Sequence, residues 1–170
     1  LIKGLELSQN FRIKDIKNFD INYINNKKIL NNLSLIKKKS NFIMKGESFD
    51  ASRIINNIMD GEDRDSSFFD NLNSKMNIKI KKTYIDEINY MNNLHGFIDF
   101  NNNKINNLIL DASFTDKKKI NLSIKTNSNS EVITELSSTY PKPLVKRYKF
   151  IKGFEEGYLK FFSTKKKGLS

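Results

Sequence analysis

Between residues 73 and 138, apolar side chains recur at every second position in one short segment after another. The segments are Met76, Ile78, Ile80 and Tyr84; Leu108, Leu110, Ala112 and Phe114; Ile120, Leu122 and Ile124; and Val132 with Leu136. Side chains alternate across a β-strand, so each segment presents one apolar and one polar face. Polar clusters at 101–103, 116–118 and 127–130 separate the segments, and their residue types are those of turns. A chain patterned in this way folds mainly into β-structure, as a sheet with a single apolar surface. What covers that surface decides what the protein does.

The first third is strand-like but less regular. Leu5 and Leu7, Phe11 and Ile13, Phe19, Ile21 and Tyr23, Leu33 and Leu35, and Phe42 and Met44 keep period two, with a turn expected at Asn25, Asn26, Lys27 and Lys28. At Asp50 the period changes to that of an amphipathic helix: Ala51, Ile54, Ile55, Ile58 and Met59 share one stripe, with Asp50 as N-cap and Gly61 near the stop. A polar loop follows from Gly61 to Ser67. The stretch from Tyr84 to Leu94 fits either a helical turn or alternation, and it is read as strand followed by a turn at Asn92 and Asn93. A second helix is expected from Pro141 and Pro143 through Leu144, Val145, Tyr148 and Ile151, with Gly153 ending it and a last strand through Leu159 and Phe161. The expected architecture is thus mainly β, a curved antiparallel sheet with two short amphipathic helices near 51–59 and 143–151.

A length of 170 residues suits one domain, 1–170. The first residue is Leu1 and the last strand-like run is followed at once by a lysine cluster, so the chain reads as a fragment of a longer protein. The formal net charge of +11 would ordinarily suggest a polyanion or an anionic membrane as partner. Only four of the 30 basic residues are arginine, however, and Lys, Asn and Ile dominate the chain. An A/T-rich genome gives that composition without selection for a basic surface, and phosphate and base recognition favours Arg. No nucleic-acid partner is therefore expected. The absence of cysteine excludes disulfides and thiolate metal sites. No apolar run approaches the ~20 residues that span a bilayer.

Signatures of chemistry are missing. His95 is the single histidine, so a His-rich zinc site is impossible and a Ser-His-Asp triad would rest on that residue alone. It precedes Gly96 and reads as a turn or surface histidine. No Gly-rich phosphate loop follows a strand. The acidic cluster Glu62, Asp63, Asp65 and Asp70 lacks the spacing of a calcium loop. Glu155 with Glu156, and Asp86 with Glu87, have no carboxylate partner at a useful spacing. Phe68, Phe69, Phe161, Phe162, Tyr148 and Phe150 could stack bases but read as sheet-face residues. No catalytic residue, metal or cofactor is expected.

Two segments carry a resemblance. Lys45, Gly46, Glu47, Ser48, Phe49, Asp50 and Ala51, followed by the Ile-rich helix, resemble the strand-Gly-x-Ser-apolar-Asp-helix element of the AsmA-like family of large bacterial proteins, the group that includes YhdP and TamB. From Glu131 to Ser163 the chain is similar to that family's C-terminal region. There a strand ending in small polar residues, here Ser137 and Ser138, leads to a helix, a Gly-containing turn and another strand. Where the family often has two adjacent glycines before the last strand, this chain has Glu156 and Gly157.

The resemblance implies a periplasmic segment anchored to the inner membrane through a part outside this chain. It implies a sheet curled into an open groove of the repeating type, and a role in moving phospholipid between inner and outer membranes in outer-membrane biogenesis of Gram-negative cells. The expected partners are phospholipid acyl chains, and the expected lipid-facing set is Met76, Ile78, Ile80, Leu108, Leu110, Phe114, Ile120, Leu122 and Ile124. The same faces could instead close on each other, or on the helices, as the dry core of a scaffold module. A basic nucleic-acid-binding module is the remaining alternative.

Overall fold

The computed structural model describes residues 1–53, 69–129, 131–148 and 157–166. Among them the chain forms β1 (Ile2–Lys3), β2 (Glu6–Leu7), β3 (Ile13–Asp15), β4 (Asn18–Ile24), β5 (Leu30–Lys38), β6 (Asn41–Asp50), β7 (Ser74–Tyr84), β8 (Tyr90–Asn101), β9 (Lys104–Thr115), β10 (Lys118–Thr126), β11 (Glu131–Ser138), helix α1 (Lys142–Tyr148) and β12 (Leu159–Lys166). Ten strands make one open sheet in the order β1-β4-β5-β6-β7-β8-β9-β10-β11-β12, while β2 and β3 pair in a separate hairpin.

The sheet is mixed, which corrects the expectation of antiparallel pairing throughout. β6 and β7 run parallel, with Phe42 beside Met76 and Met44 beside Ile78, and the other neighbours are antiparallel. Parallel neighbours need a crossover connection of a dozen or more residues, and residues 51–73 provide it. Of the helix expected near 51–59, Ser52 and Arg53 are helical and the rest lies outside the described residues, as do Gly61 to Ser67. The second helix begins at Lys142, and Ile151 and Gly153 lie beyond what is described.

Asparagine chemistry shapes the turns. The β8–β9 hairpin closes on Asn102 and Asn103, both at positive φ (50° and 63°), the backbone of a two-residue primed turn. The side-chain oxygen of Asn25 accepts from the N–H groups of Lys27 and Ile29; that of Asn127 accepts from those of Asn129 and Glu131. The turn between β7 and β8 is built on Asp86, whose carboxylate accepts from the N–H groups of Ile88 and Asn89. Asn92 and Asn93 therefore lie inside β8 and make no turn, and His95 sits mid-strand.

Three strands share one irregularity. Leu33 pairs with Gly46 and Asn32 with Ser48, so Glu47 is an extra residue on β6. β6, β7 and β8 stay in step across this level: Ser48 pairs with Lys82, and Lys82 with Asn92. Against β9 the mismatch returns, since Asn92 pairs with Ser113 and His95 with Asp111. Glu47, Lys81 and Asn93 thus form a row of inserted residues, with Asn93 at φ 53°. An inserted residue shifts period two by one. Inward positions accordingly run Met76, Ile78, Ile80 and then Thr83 on β7, followed by Ile85 just past its end, the last two each 2% exposed. Tyr84 does not continue the face of Ile80 as its spacing suggested. It stands on the polar side against Tyr90, ring centroids 5.5 Å apart.

Two buried clusters lie on the apolar side. The larger unites Leu33, Leu35, Phe42, Met76, Ile78 and Ile80 with Ile16, and Ile13, Phe69 and Leu72 pack against it. The hairpin β2–β3 delivers Ile13 and Ile16 to this cluster and is tied to β5 by the Asp15–Lys37 ion pair at 2.6 Å. The smaller cluster joins Ile85, Met91, Ala112 and Ile120, with Leu94, Phe114, Leu136 and the helix residue Leu144 packed on it.

Candidate functional site

The ladders place all nine residues of the expected apolar surface on one side of the sheet. One row runs Met76, Ile98, Leu108, Ile124 and Thr134; the next runs Ile78, Gly96, Leu110, Leu122, Leu136 and Phe161. Ile80 pairs with Leu94, Ile120 pairs with Ala112, and Phe114 follows Ala112 by two. The surface also takes in residues left out of the expected set. Leu33, Leu35, Phe42 and Met44 extend it across β5 and β6. Leu94 and Ile98 lie between β7 and β9; Leu94 is hidden by the reading of 84–94 as strand and turn, while Ile98 reads on a return strand with Phe97 and Phe100 but is left out of the lipid-facing set. Leu136 and Phe161 carry it to the β12 edge.

This surface is not uniform. Met76, Ile78 and Ile80 are buried under the Ile13, Ile16, Phe69 and Leu72 cover, Ile120 is buried in the cluster that takes in Leu144 of the helix, and Leu108 is buried outside both clusters. Leu110, Phe114, Leu122 and Ile124 are half-buried, and Leu122 and Ile124 belong to neither cluster. Beside them, Phe161 on the edge strand is 50% exposed. The apolar side is therefore most deeply buried at the two clusters and at Leu108, and more open along Leu122, Ile124 and Phe161. None of the nine carries a charge, so the open sector offers only dispersion and hydrophobic contact.

The segments behind the family resemblance have local physical roles. A Cβ at Gly46 would meet the Leu33 side chain and the Asn32 carbonyl beside the inserted Glu47. Ser48 and Ser52 are buried. Asp50 accepts from the Ser52 N–H at 3.0 Å and the Asn25 amide at 2.8 Å, with the Lys27 ammonium at 3.8 Å. Burial alone would raise the Asp50 pKa. The Ser52 hydroxyl and N–H, the Lys27 charge and the Asn25 amide outweigh it and hold the carboxyl below its ordinary value. At the other end Ser138, 1% exposed, accepts from the Tyr140 N–H, and the Pro141 carbonyl accepts from the N–H groups of Leu144 and Val145 as α1 starts. These contacts fix where a strand ends and a covering element begins.

The polar side holds a concavity of about 640 Å³, lined by Lys28, Glu47, Ser48, Lys81, Lys82, Tyr84, Asn92, Ser113 and Asp116 among others. It lies at the row of inserted residues, where Glu47 pairs with Lys81. His95 is exposed on the same side, its Nδ1 2.8 Å from the Asn93 carbonyl. Among the described residues no group of three or more His, Asp or Glu side chains converges as metal ligands, and no helix is long and apolar enough to cross a membrane. Of the acidic cluster only Asp70 lies within the described residues, and Phe68, Phe150, Glu155 and Glu156 lie outside them. Comparison with family models, with curated proteins and with solved structures gives no match for this chain.

Proposed function

We propose that this chain is a groove segment of the AsmA-like type, which shields phospholipid acyl chains and conducts them across the periplasm between inner and outer membranes. The observation that carries the reading is the continuous one-sided apolar face, buried at Met76, Ile78, Ile80, Leu108 and Ile120 and half-open along Leu110, Leu122, Ile124 and Leu136. Contact with an acyl chain falls on this half-open sector and on Phe114. Met76, Ile78, Ile80, Leu108 and Ile120 form the sealed floor that keeps the sheet rigid beneath it. Bulges bend strands and increase their twist, so the row Glu47, Lys81 and Asn93 favours the curling that a groove needs. At about 25 cal/mol per Å² of apolar area, many shallow contacts hold a lipid without a deep pocket, and the absence of polar anchors lets it slide. In this reading no catalytic residue, metal or cofactor takes part, and the membrane anchor belongs to a part of the protein outside this chain.

Photo-crosslinking from Leu122 and Leu110 in Gram-negative cells tests this. Captured phospholipid at both is expected. Folded protein that captures none at either position overturns it.

A second reading rests on the larger buried cluster. A hairpin that seats Ile13 and Ile16 on β5–β7 is what a closed scaffold module would use to dry its core. Under that reading an acyl chain has no access to Leu122, and the same crosslinking separates the two.

A further inference from the structure

The polar side of the sheet carries its positive charge unevenly, and we infer that its β6–β8 sector docks on an anionic phospholipid surface through phosphate headgroups. Lys45 on β6 pairs in register with Lys79 on β7, and Lys79 with His95 on β8. Neighbouring strands lie about 4.8 Å apart, so two exposed ammonium side chains stand directly side by side. Like charges placed opposite each other destabilise a sheet.

Nearby lysines are neutralised or held. Lys81 pairs with Glu47 at 2.8 Å, the Lys75 amine lies 3.8 Å from the Phe97 ring centre, and the Lys82 amine lies 4.1 Å from that of Tyr90. Among the described residues Lys45 and Lys79 have neither an ion pair nor a ring partner. A phosphate oxyanion between them supplies the missing counter-charge.

The concavity next to this pair adds Lys28, Lys81 and Lys82, against Glu47 and Asp116. It is shallow and open, a shape that suits headgroups presented by a surface. Lysine scattered by composition alone would give the same excess everywhere. On this side β6–β8 carry Lys45, Lys75, Lys79, Lys81 and Lys82 against Glu47 and Asp99, whereas over β9–β11 Asp111 and Glu135 stand among Lys119 and Lys125. No arginine occurs in β6, β7 or β8, and Phe97 is already covered by Lys75, so the fork and the stacking platform that nucleic acid favours are both missing. This side is opposite the apolar face, so the inference stands whether or not that face carries lipid.

The test is cosedimentation of the full chain with phosphatidylcholine vesicles, with and without phosphatidylglycerol. Each lysine near an anionic surface contributes on the order of five-fold in affinity, so Lys45→Gln/Lys79→Gln should weaken phosphatidylglycerol-dependent binding roughly 25-fold. A control, Lys104→Gln/Lys117→Gln at two hairpin turns, should leave it close to the parent. Equal binding by Lys45→Gln/Lys79→Gln and parent overturns the proposal, as does equal binding to pure phosphatidylcholine. Loss of binding to an RNA oligonucleotide with vesicle binding intact also overturns it. A melt at low salt without vesicles gives a second measure. Lys45→Gln should melt no lower than the parent, and a lower midpoint would mean that the fold itself already neutralises Lys45.

Discussion

Glu47 and Lys81 face each other across the parallel β6–β7 ladder with their charged groups 2.8 Å apart, at the level where β6, β7 and β8 each carry an extra residue. The charge pair is exposed, 69% for Lys81 and 60% for Glu47, and exposed pairs contribute about 0–1 kcal/mol. The backbone relationship matters more than the charge. With one insertion in each of three adjacent strands, Ile80 and Thr83 face the same side and the ladders between the strands remain in step.

Lys81→Ala should therefore cost less than about 1 kcal/mol. Deleting Lys81 leaves β7 one residue short against both neighbours and should cost several kcal/mol, at roughly 1 kcal/mol per broken ladder bond. Deleting Glu47, Lys81 and Asn93 together restores regular pairing with β5 and β9 and keeps Phe49, Thr83 and Met91 inward. Urea denaturation of the three deletion forms checks this. A triple deletion as costly as three independent losses would show that the insertions do not act as a unit.

Asp50 ties β6 to the crossover, and its depressed pKa makes that tie pH-dependent. A carboxyl with a folded pKa below its unfolded value contributes stability that is fully present above the unfolded value, near 4, and is lost as pH falls through the folded one. Asp50→Asn should cost on the order of 2 kcal/mol at neutral pH, as hydrogen bonds to a charged group are lost. The gap between parent and variant should narrow as the pH drops below the ordinary aspartate range. Denaturation midpoints from pH 7 downward provide the measurement, and a gap constant over that range would rule out the carboxylate as its source.

Gly96 makes a separate demand. Its φ is 144°, and a Cβ there would fall on the carbonyl oxygen of Ile109 on β9. Gly96→Ala should destabilise by about 1–3 kcal/mol or more, the cost of strained backbone plus displacement of β9. Circular dichroism melts would show it, and an unchanged midpoint would mean that β9 yields freely at Ile109.

Alternation made the strands and the single apolar surface legible, because period two is written directly in Met76, Ile78 and Ile80 or Ile120, Leu122 and Ile124. The change of parity beyond Ile80 was not legible. Tyr84 keeps the even spacing, while the true inward residues Thr83 and Ile85 look like noise until Lys81 is seen to be an insertion. Asn92 and Asn93 misled for a related reason: the tolerance of Asn for positive φ serves a bulge within β8 here, where elsewhere in the chain it makes turns. The direction of β7 was beyond reach, since parallel pairing depends on where residues 51–73 return the chain. The division of the apolar face into dry and half-open sectors was equally hidden. It depends on which remote segments, the β2–β3 hairpin and α1, come to lie over which strands.

That division gives the sharpest mutational contrast. Leu108 is 4% exposed, whereas Leu122 is half-buried. Leu108→Ala should cost about 2–5 kcal/mol, the transfer and cavity terms of a filled core. Leu122→Ala has less burial to lose and should cost under about 1.5 kcal/mol. Leu122→Glu goes further: its carboxylate can remain hydrated at an open position, so the protein should stay folded while phospholipid capture from Leu110 falls sharply, because a charge beside an acyl chain is costly. If Leu122→Glu unfolds the chain as readily as Leu108→Glu, the sector around Leu122 is closed and the scaffold reading holds. If it folds and captures lipid from Leu110 as well as the parent does, Leu122 lies off the path of the acyl chain.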